Sequence, residues 1–82
     1  MKARVHIFYK DSVFDPQGNT VAQSLKRMGF RTVKEVRMGK VIDIFLESND
    51  QDQATRDLRK MCEQLLANPV IESYKYEFLD AK

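Results

Sequence analysis

Leu66-Ala67-Asn68-Pro69-Val70-Ile71-Glu72-Ser73-Tyr74 closes an amphipathic helix and opens a terminal strand. Pro69 lacks an amide proton and biases Asn68 away from helical geometry, so a helix running through Leu65 and Leu66 stops at this junction. Upstream, residues 48–53 are polar and rich in capping side chains, which starts that helix near Asn49 or Asp50. Ala54, Leu58, Met61 and Leu65 give it an apolar face at helical spacing, with Cys62 at the edge. Downstream, residues 71–79 form the last strand, with Tyr74, Tyr76 and Phe78 on one side.

The first half has the same grammar. Residues 4–9 alternate Val5, Ile7 and Tyr9 against Arg4, His6 and Phe8, the two-residue period of a strand. Asp15 caps a helix whose first turn holds Pro16, where a missing donor costs nothing. Val21, Ala22, Leu25 and Met28 share its apolar face, and Gly29 suits the left-handed residue that ends it. Residues 32–37 read as a second strand, Gly39 with Lys40 as a tight turn, and residues 41–47 as a third strand apolar on both sides.

The order β-α-β-β-α-β points to an α+β, ferredoxin-like fold: a four-stranded antiparallel sheet with both helices on one face. The opposite face would carry Phe8, His6, Val41, Phe45 and the aromatic row of the last strand. That is more apolar surface than a monomer usually exposes, so self-association, most simply a twofold dimer, is expected.

A chain of 82 residues is one domain over residues 1–82, and a domain this small buries only roughly 60 to 65% of its unfolded surface. Fourteen basic against twelve acidic side chains give a net charge of +2, a balance that does not indicate nucleic-acid or membrane-surface binding. The single cysteine leaves no internal disulfide or Cys-rich metal site and fits a reducing compartment. Without a spanning-length apolar run or a signal-peptide h-region, a cytoplasmic location is expected.

Candidate chemistry is sparse. Cys62 falls mid-helix beside Met61 and Leu65 and reads as a packed thiol. His6, between Val5 and Ile7, reads as a packed or interface histidine rather than a metal ligand. No phosphate-binding Gly-rich loop ending in Lys-Ser/Thr occurs. Gly18 costs roughly 1 kcal/mol relative to alanine in a helix, which is best tolerated where another backbone comes close. Arg37 and Lys40 flank Gly39 as two cations on a protruding turn, which reads as a solvated turn, a docking contact or an anion site. Asp52 with Arg56 and Arg59 with Glu63 read as i,i+4 pairs on a solvated helix face.

Four segments together resemble the PurS family, small subunits of phosphoribosylformylglycinamidine synthase. They are residues 13–18 (Val-Phe-Asp-Pro-Gln-Gly), residues 28–30 (Met-Gly-Phe), residues 36–42 (Val-Arg-Met-Gly-Lys-Val-Ile), and residues 62–66 (Cys-Glu-Gln-Leu-Leu) leading into Asn68-Pro69. The resemblance implies an accessory subunit with no catalytic, cofactor-binding or metal-binding residues of its own. It joins a glutaminase subunit, which releases ammonia, to a synthetase subunit, which uses ATP and magnesium to convert formylglycinamide ribonucleotide to formylglycinamidine ribonucleotide. A homodimer or higher homo-oligomer is implied, with no nucleic acid and no membrane. The candidate subunit-interface residues are Phe8, Asp15, Gly18, Arg37, Gly39, Lys40, Phe45, Asn68 and Tyr74. Two rivals share the topology. An RNA-binding module would need a Gly-aromatic-rich central strand, which residues 40–47 do not supply. A small-molecule-binding regulatory dimer would reveal itself by thermal stabilisation with amino acids.

Overall fold

The computed structural model describes residues 1–79. In chain order it contains β1 (Lys2–Tyr9), α1 (Pro16–Arg27), β2 (Gly39–Phe45), α2 (Gln51–Met61), a π-helical turn (Cys62–Leu66) and β3 (Glu72–Leu79). The described strands form one antiparallel sheet in the order β2-β1-β3.

Pleating divides this sheet into two unlike faces. Ala3, Val5 and Ile7 of β1 lie beside Ile44 and Ile42 of β2 and opposite Phe78, Tyr76 and Tyr74 of β3. This is the core face. Leu58, Cys62 and Ala67 pack onto it, with Met61 and Leu66 against the edge of the cluster. Each fully buried Val, Ile or Leu there contributes about 1.5–3 kcal/mol. The helix is also pinned by polar contacts, since Arg59 Nε donates to the Tyr76 hydroxyl (3.2 Å) and the Tyr74 hydroxyl donates to Glu63 (3.1 Å). Arg59 and Glu63, both on the exposed face as expected, therefore reach across to β3 rather than pairing with each other.

Several expectations require correction. The aromatic row lies against the helix and not on the open face, because Tyr74, Tyr76 and Phe78 share the register of Ile7, Val5 and Ala3. Leu65 is 83% exposed. The amide of Ala67 reaches back five residues to the Cys62 carbonyl (2.9 Å), and the wider π turn rotates Leu65 outward. Met28 likewise lies beyond the last turn of α1 and is exposed. The strand expected over residues 32–37 does not form in the described chain, so the described sheet has three strands and no hairpin at Gly39-Lys40.

The hairpin fails for a definite reason. Gly39 pairs with Phe8 and Lys40 with Ile7, so both are ladder residues. Gly39 has no positive φ; a Cβ there would stand 2.8 Å from the Ile7 carbonyl oxygen, so glycine serves close approach and not a turn. The residues left to reverse the chain are Val36, Arg37 and Met38, and a tight hairpin turn demands positive φ, which these types resist. The chain accordingly leaves the sheet at Met38.

α1 and residues 28–38 consequently form an arm. No residue of α1 joins the sheet's core cluster. Gly18 and Ala22, its buried residues, face the segment 34–37 instead. The radius of gyration is 16.3 Å, with extents of 49 × 32 × 14 Å, whereas a compact chain of this length measures about 12 Å. Gly29, at φ 101°, ends α1 in the left-handed conformation expected of it.

Candidate functional site

The densest group of the expected site residues lies where the arm meets the sheet. Asp15 is extended at the N-cap of α1, and its Oδ1 accepts from the Gly18 amide at 2.9 Å, satisfying one orphan donor of the first turn. Its Oδ2 accepts from the Met38 amide at 2.6 Å. The carboxylate is 3% exposed. These amides, Gly18 first and Met38 second, hold its pKa below the ordinary carboxylate value. Gly18 completes the contact: a Cβ on it would lie 2.1 Å from the Val36 carbonyl oxygen.

Arg37 crosses in the opposite direction. Its Nη2 donates to the carbonyls of Lys10 (2.9 Å) and Val13 (3.1 Å), and Glu35 stands 3.8 Å from Nη1. Arg37 is thus occupied with backbone and is not a cation on a free hairpin tip. Between α1 and residues 34–37 runs an open groove of about 370 Å³, bordered by Asn19, Gln23, Lys26 and Lys34.

Phe8, Gly39 and Lys40 adjoin this junction through the β1–β2 ladder. Phe45 lies at the other end of β2, on the open face, and is 73% exposed. Across that face, rows read Lys75-His6-Val41, Glu77-Arg4-Asp43 and Leu79-Lys2-Phe45. The middle row is ionic: Arg4 holds Asp43 through Nε–Oδ1 (2.9 Å) and Nη2–Oδ2 (3.3 Å). Lys2 reaches the same carboxylate at 3.6 Å and lies 5.4 Å from the Phe45 ring centroid. Arg4 is the main cause lowering the Asp43 pKa. Exposed apolar side chains sit on the arm as much as on this face, with Val21, Met28 and Phe30 among them.

Asn68 and Tyr74 stand apart from the junction. Asn68 builds the turn before β3, its Oδ1 accepting from Val70 (3.1 Å) and its amide donating to Glu72 (2.7 Å). Tyr74 is on the core face, where burial first and then the Glu63 carboxylate push its phenol pKa up. Cys62 and His6 cannot cooperate, because Cys62 packs on the core face while His6 projects from the other side of β1. Burial raises the Cys62 thiol pKa, opposite to what a nucleophile needs. Among the described residues no group of three metal-ligating side chains converges, and no helix is long and apolar enough to cross a membrane.

What sequence reasoning missed here is the backbone half of the site: the Met38 amide and the Lys10 and Val13 carbonyls. No residue type marks them. The Arg4–Asp43 pair likewise depends on strand register, which local pattern leaves open.

The two depressed carboxyl groups set the acid response. Between their lowered native values and the ordinary value near about 4, the unfolded chain binds more protons, so stability rises with pH across that window. The stabilisation is present above the ordinary value and lost as pH falls through the native ones. Urea unfolding at about pH 7 and about pH 3 should show a fall, and Asp43→Asn should flatten it. An identical pH dependence in that variant would remove Asp43 from the account.

Residues 2–80 match the family model described as PurS, phosphoribosylformylglycinamidine (FGAM) synthase. The phosphoribosylformylglycinamidine synthase subunit PurS of Bacillus subtilis is 43% identical over 76 residues, covering 93% of this chain and 89% of that one. The crystal structure of Methanocaldococcus jannaschii PurS, one of the subunits of formylglycinamide ribonucleotide amidotransferase, superposes with a TM-score of 0.87 at 37% identity, covering 99% and 98% of the two chains. A chain of PurLQS from Thermotoga maritima superposes with a TM-score of 0.85 at 35% identity and 95% coverage of each.

Proposed function

Because the chain belongs to the PurS family, subunits of phosphoribosylformylglycinamidine synthase in purine biosynthesis, we propose that it bridges the glutaminase and synthetase of that ligase. The reaction joins glutamine hydrolysis to ATP-dependent amidation of formylglycinamide ribonucleotide. Ammonia made at one centre must reach the other unprotonated, since ammonium is not a nucleophile, and a protein wall between the two preserves it. ATP and magnesium belong to the synthetase in this reading, and a cytoplasmic location goes with it.

The observation that carries the bridging role is the two-part shape. A short sheet and an arm reach 49 Å in a chain of this size, while its Cys and His are held on opposite faces of one strand. Such a chain offers surfaces rather than chemistry.

The same shape supports a homodimer that completes the ferredoxin-like sheet. One helix covers the core face, and Ile42 and Ile44 beneath it remain partly exposed. The outer edge of β2 has no partner among the described strands, and a free edge accepts another strand. In a twofold pair, residues 33–38 of one copy become the fourth strand beside β2 of the other, and its α1 covers Ile42 and Ile44. Phe8, Phe45, Asp15, Gly18, Arg37, Gly39 and Lys40 lie in or beside that contact, whereas Asn68 and Tyr74 are on the β3 side of the sheet, away from it.

The test is co-purification of the chain with the glutaminase and synthetase in the presence of glutamine and magnesium nucleotide. The three should elute together. The chain alone should turn over neither glutamine nor ATP. Glutamine-dependent product formation at full rate without the chain would overturn the bridge.

A further inference from the structure

Two stretches of backbone connect the arm to the sheet: residues 10–15, leaving β1, and Met38, entering β2. Each sends one side chain to the backbone of the other. Asp15 of the first accepts from the Met38 amide of the second at 2.6 Å. Arg37, beside the second, donates to the Lys10 and Val13 carbonyls of the first at 2.9 and 3.1 Å. Neither residue belongs to the sheet's core cluster, and the arm has its own internal contact in Gly18 against Val36. The reciprocal bonds therefore lie outside the sheet's core and the Gly18–Val36 contact of the arm. What they constrain is the pivot between them.

We propose that Asp15 and Arg37 form a clasp that fixes the direction in which the arm leaves the sheet, so that each copy offers the other a preformed arm. Both are positioning residues for assembly. The inference rests on the arm-exchanged dimer described above. Ordering the pivot beforehand removes part of the entropy that association would otherwise cost. A carboxylate is suited to this place because it accepts two amides at once. Asparagine would meet one of them with its own NH₂ group. Arginine is suited because Nη2 has one hydrogen for each carbonyl while Nη1 still faces Glu35 at 3.8 Å, a planar arrangement that a flexible lysine stem with a single nitrogen does not preorganise.

Asp15→Asn and Arg37→Gln in the full chain test the clasp by hydrogen–deuterium exchange, sedimentation and small-angle scattering. In the variants the Met38 amide should exchange about tenfold faster or more, while the Val5 amide in the sheet keeps its protection. The dimer dissociation constant should rise about tenfold, and Arg37→Lys should recover only part of it. A merely structural role would expose Val5 along with Met38. Unchanged exchange at Met38 would dismiss the clasp, and faster exchange with unchanged dimerisation would dismiss its role in positioning. If the unaltered chain stays monomeric, the exchanged dimer fails on its own account. The clasp is then judged by scattering: the unaltered monomer should keep a radius of gyration near 16.3 Å and the variants should depart from it. Equal radii would overturn it.

Discussion

Leu58→Ala is expected to leave the sheet barely folded at room temperature. Leu58 is fully buried and packs with Cys62 and Ala67 onto Ala3, Val5 and Ile7, so truncation removes the largest side chain that α2 contributes to the core cluster. Loss of a buried leucine costs about 2–5 kcal/mol, including the cavity left behind. A domain of this length holds only about 4–12 kcal/mol in total. At about 4–8 °C per kcal/mol, the melting midpoint should drop by about 10 °C or more. Collapse into the cavity is limited because the neighbours on β1 are short or β-branched and fixed by ladders on both sides. Met61→Ala, at the half-exposed edge of the cluster, should cost clearly less. Thermal and urea unfolding decide the matter: a Leu58→Ala penalty no larger than that of Met61→Ala would mean that the helix is not seated as described.

What the sequence disclosed and what it concealed divide along the reach of the interactions involved. The Asn68-Pro69 stop, the Asp15 cap with Pro16, the Asp50 start of α2 and the left-handed Gly29 are decided within a few residues, and each stands where local chemistry puts it. The face of the aromatic row was not legible in that way. Alternation places Tyr74, Tyr76 and Phe78 together, but which side they take depends on pairing with β1. Gly39-Lys40 misleads for a related reason. Glycine serves both turns and close backbone approaches, and only the ladder to Phe8 and Ile7 selects the second. Leu65 fails through a π turn, whose extra residue breaks the 3.6-residue count. Of the candidate site, Asp15, Gly18 and Arg37 converge at the arm's base, while Asn68 and Tyr74 belong to the turn and the core.

Gly18→Ala should damage assembly most while sparing the sheet. In an ordinary helix this change stabilises by about 1 kcal/mol, so a destabilisation would itself report the contact with Val36. The new Cβ would lie 2.1 Å from a backbone carbonyl oxygen and 2.9 Å from Asp15 Oδ2. Because backbone cannot swing aside as a side-chain tip can, α1 must lift from residues 34–37, at about 1–3 kcal/mol. The sheet stays folded, since no residue of α1 belongs to its core cluster. Amides of β1 should therefore remain protected while those of α1 exchange rapidly. Losing about 1.4 kcal/mol of assembly free energy weakens association about tenfold, and glutamine-dependent amidation by the three-subunit mixture at limiting concentrations should fall by a comparable factor. Added ammonium should restore most of the rate, because free ammonia needs no glutaminase beside the synthetase. Equal loss with both nitrogen sources would mean that the arm supports the synthetase itself and not the junction between the two enzymes. A more stable Gly18→Ala chain with full activity would show instead that α1 does not rest on Val36, and the arm would lose its claim to the bridge.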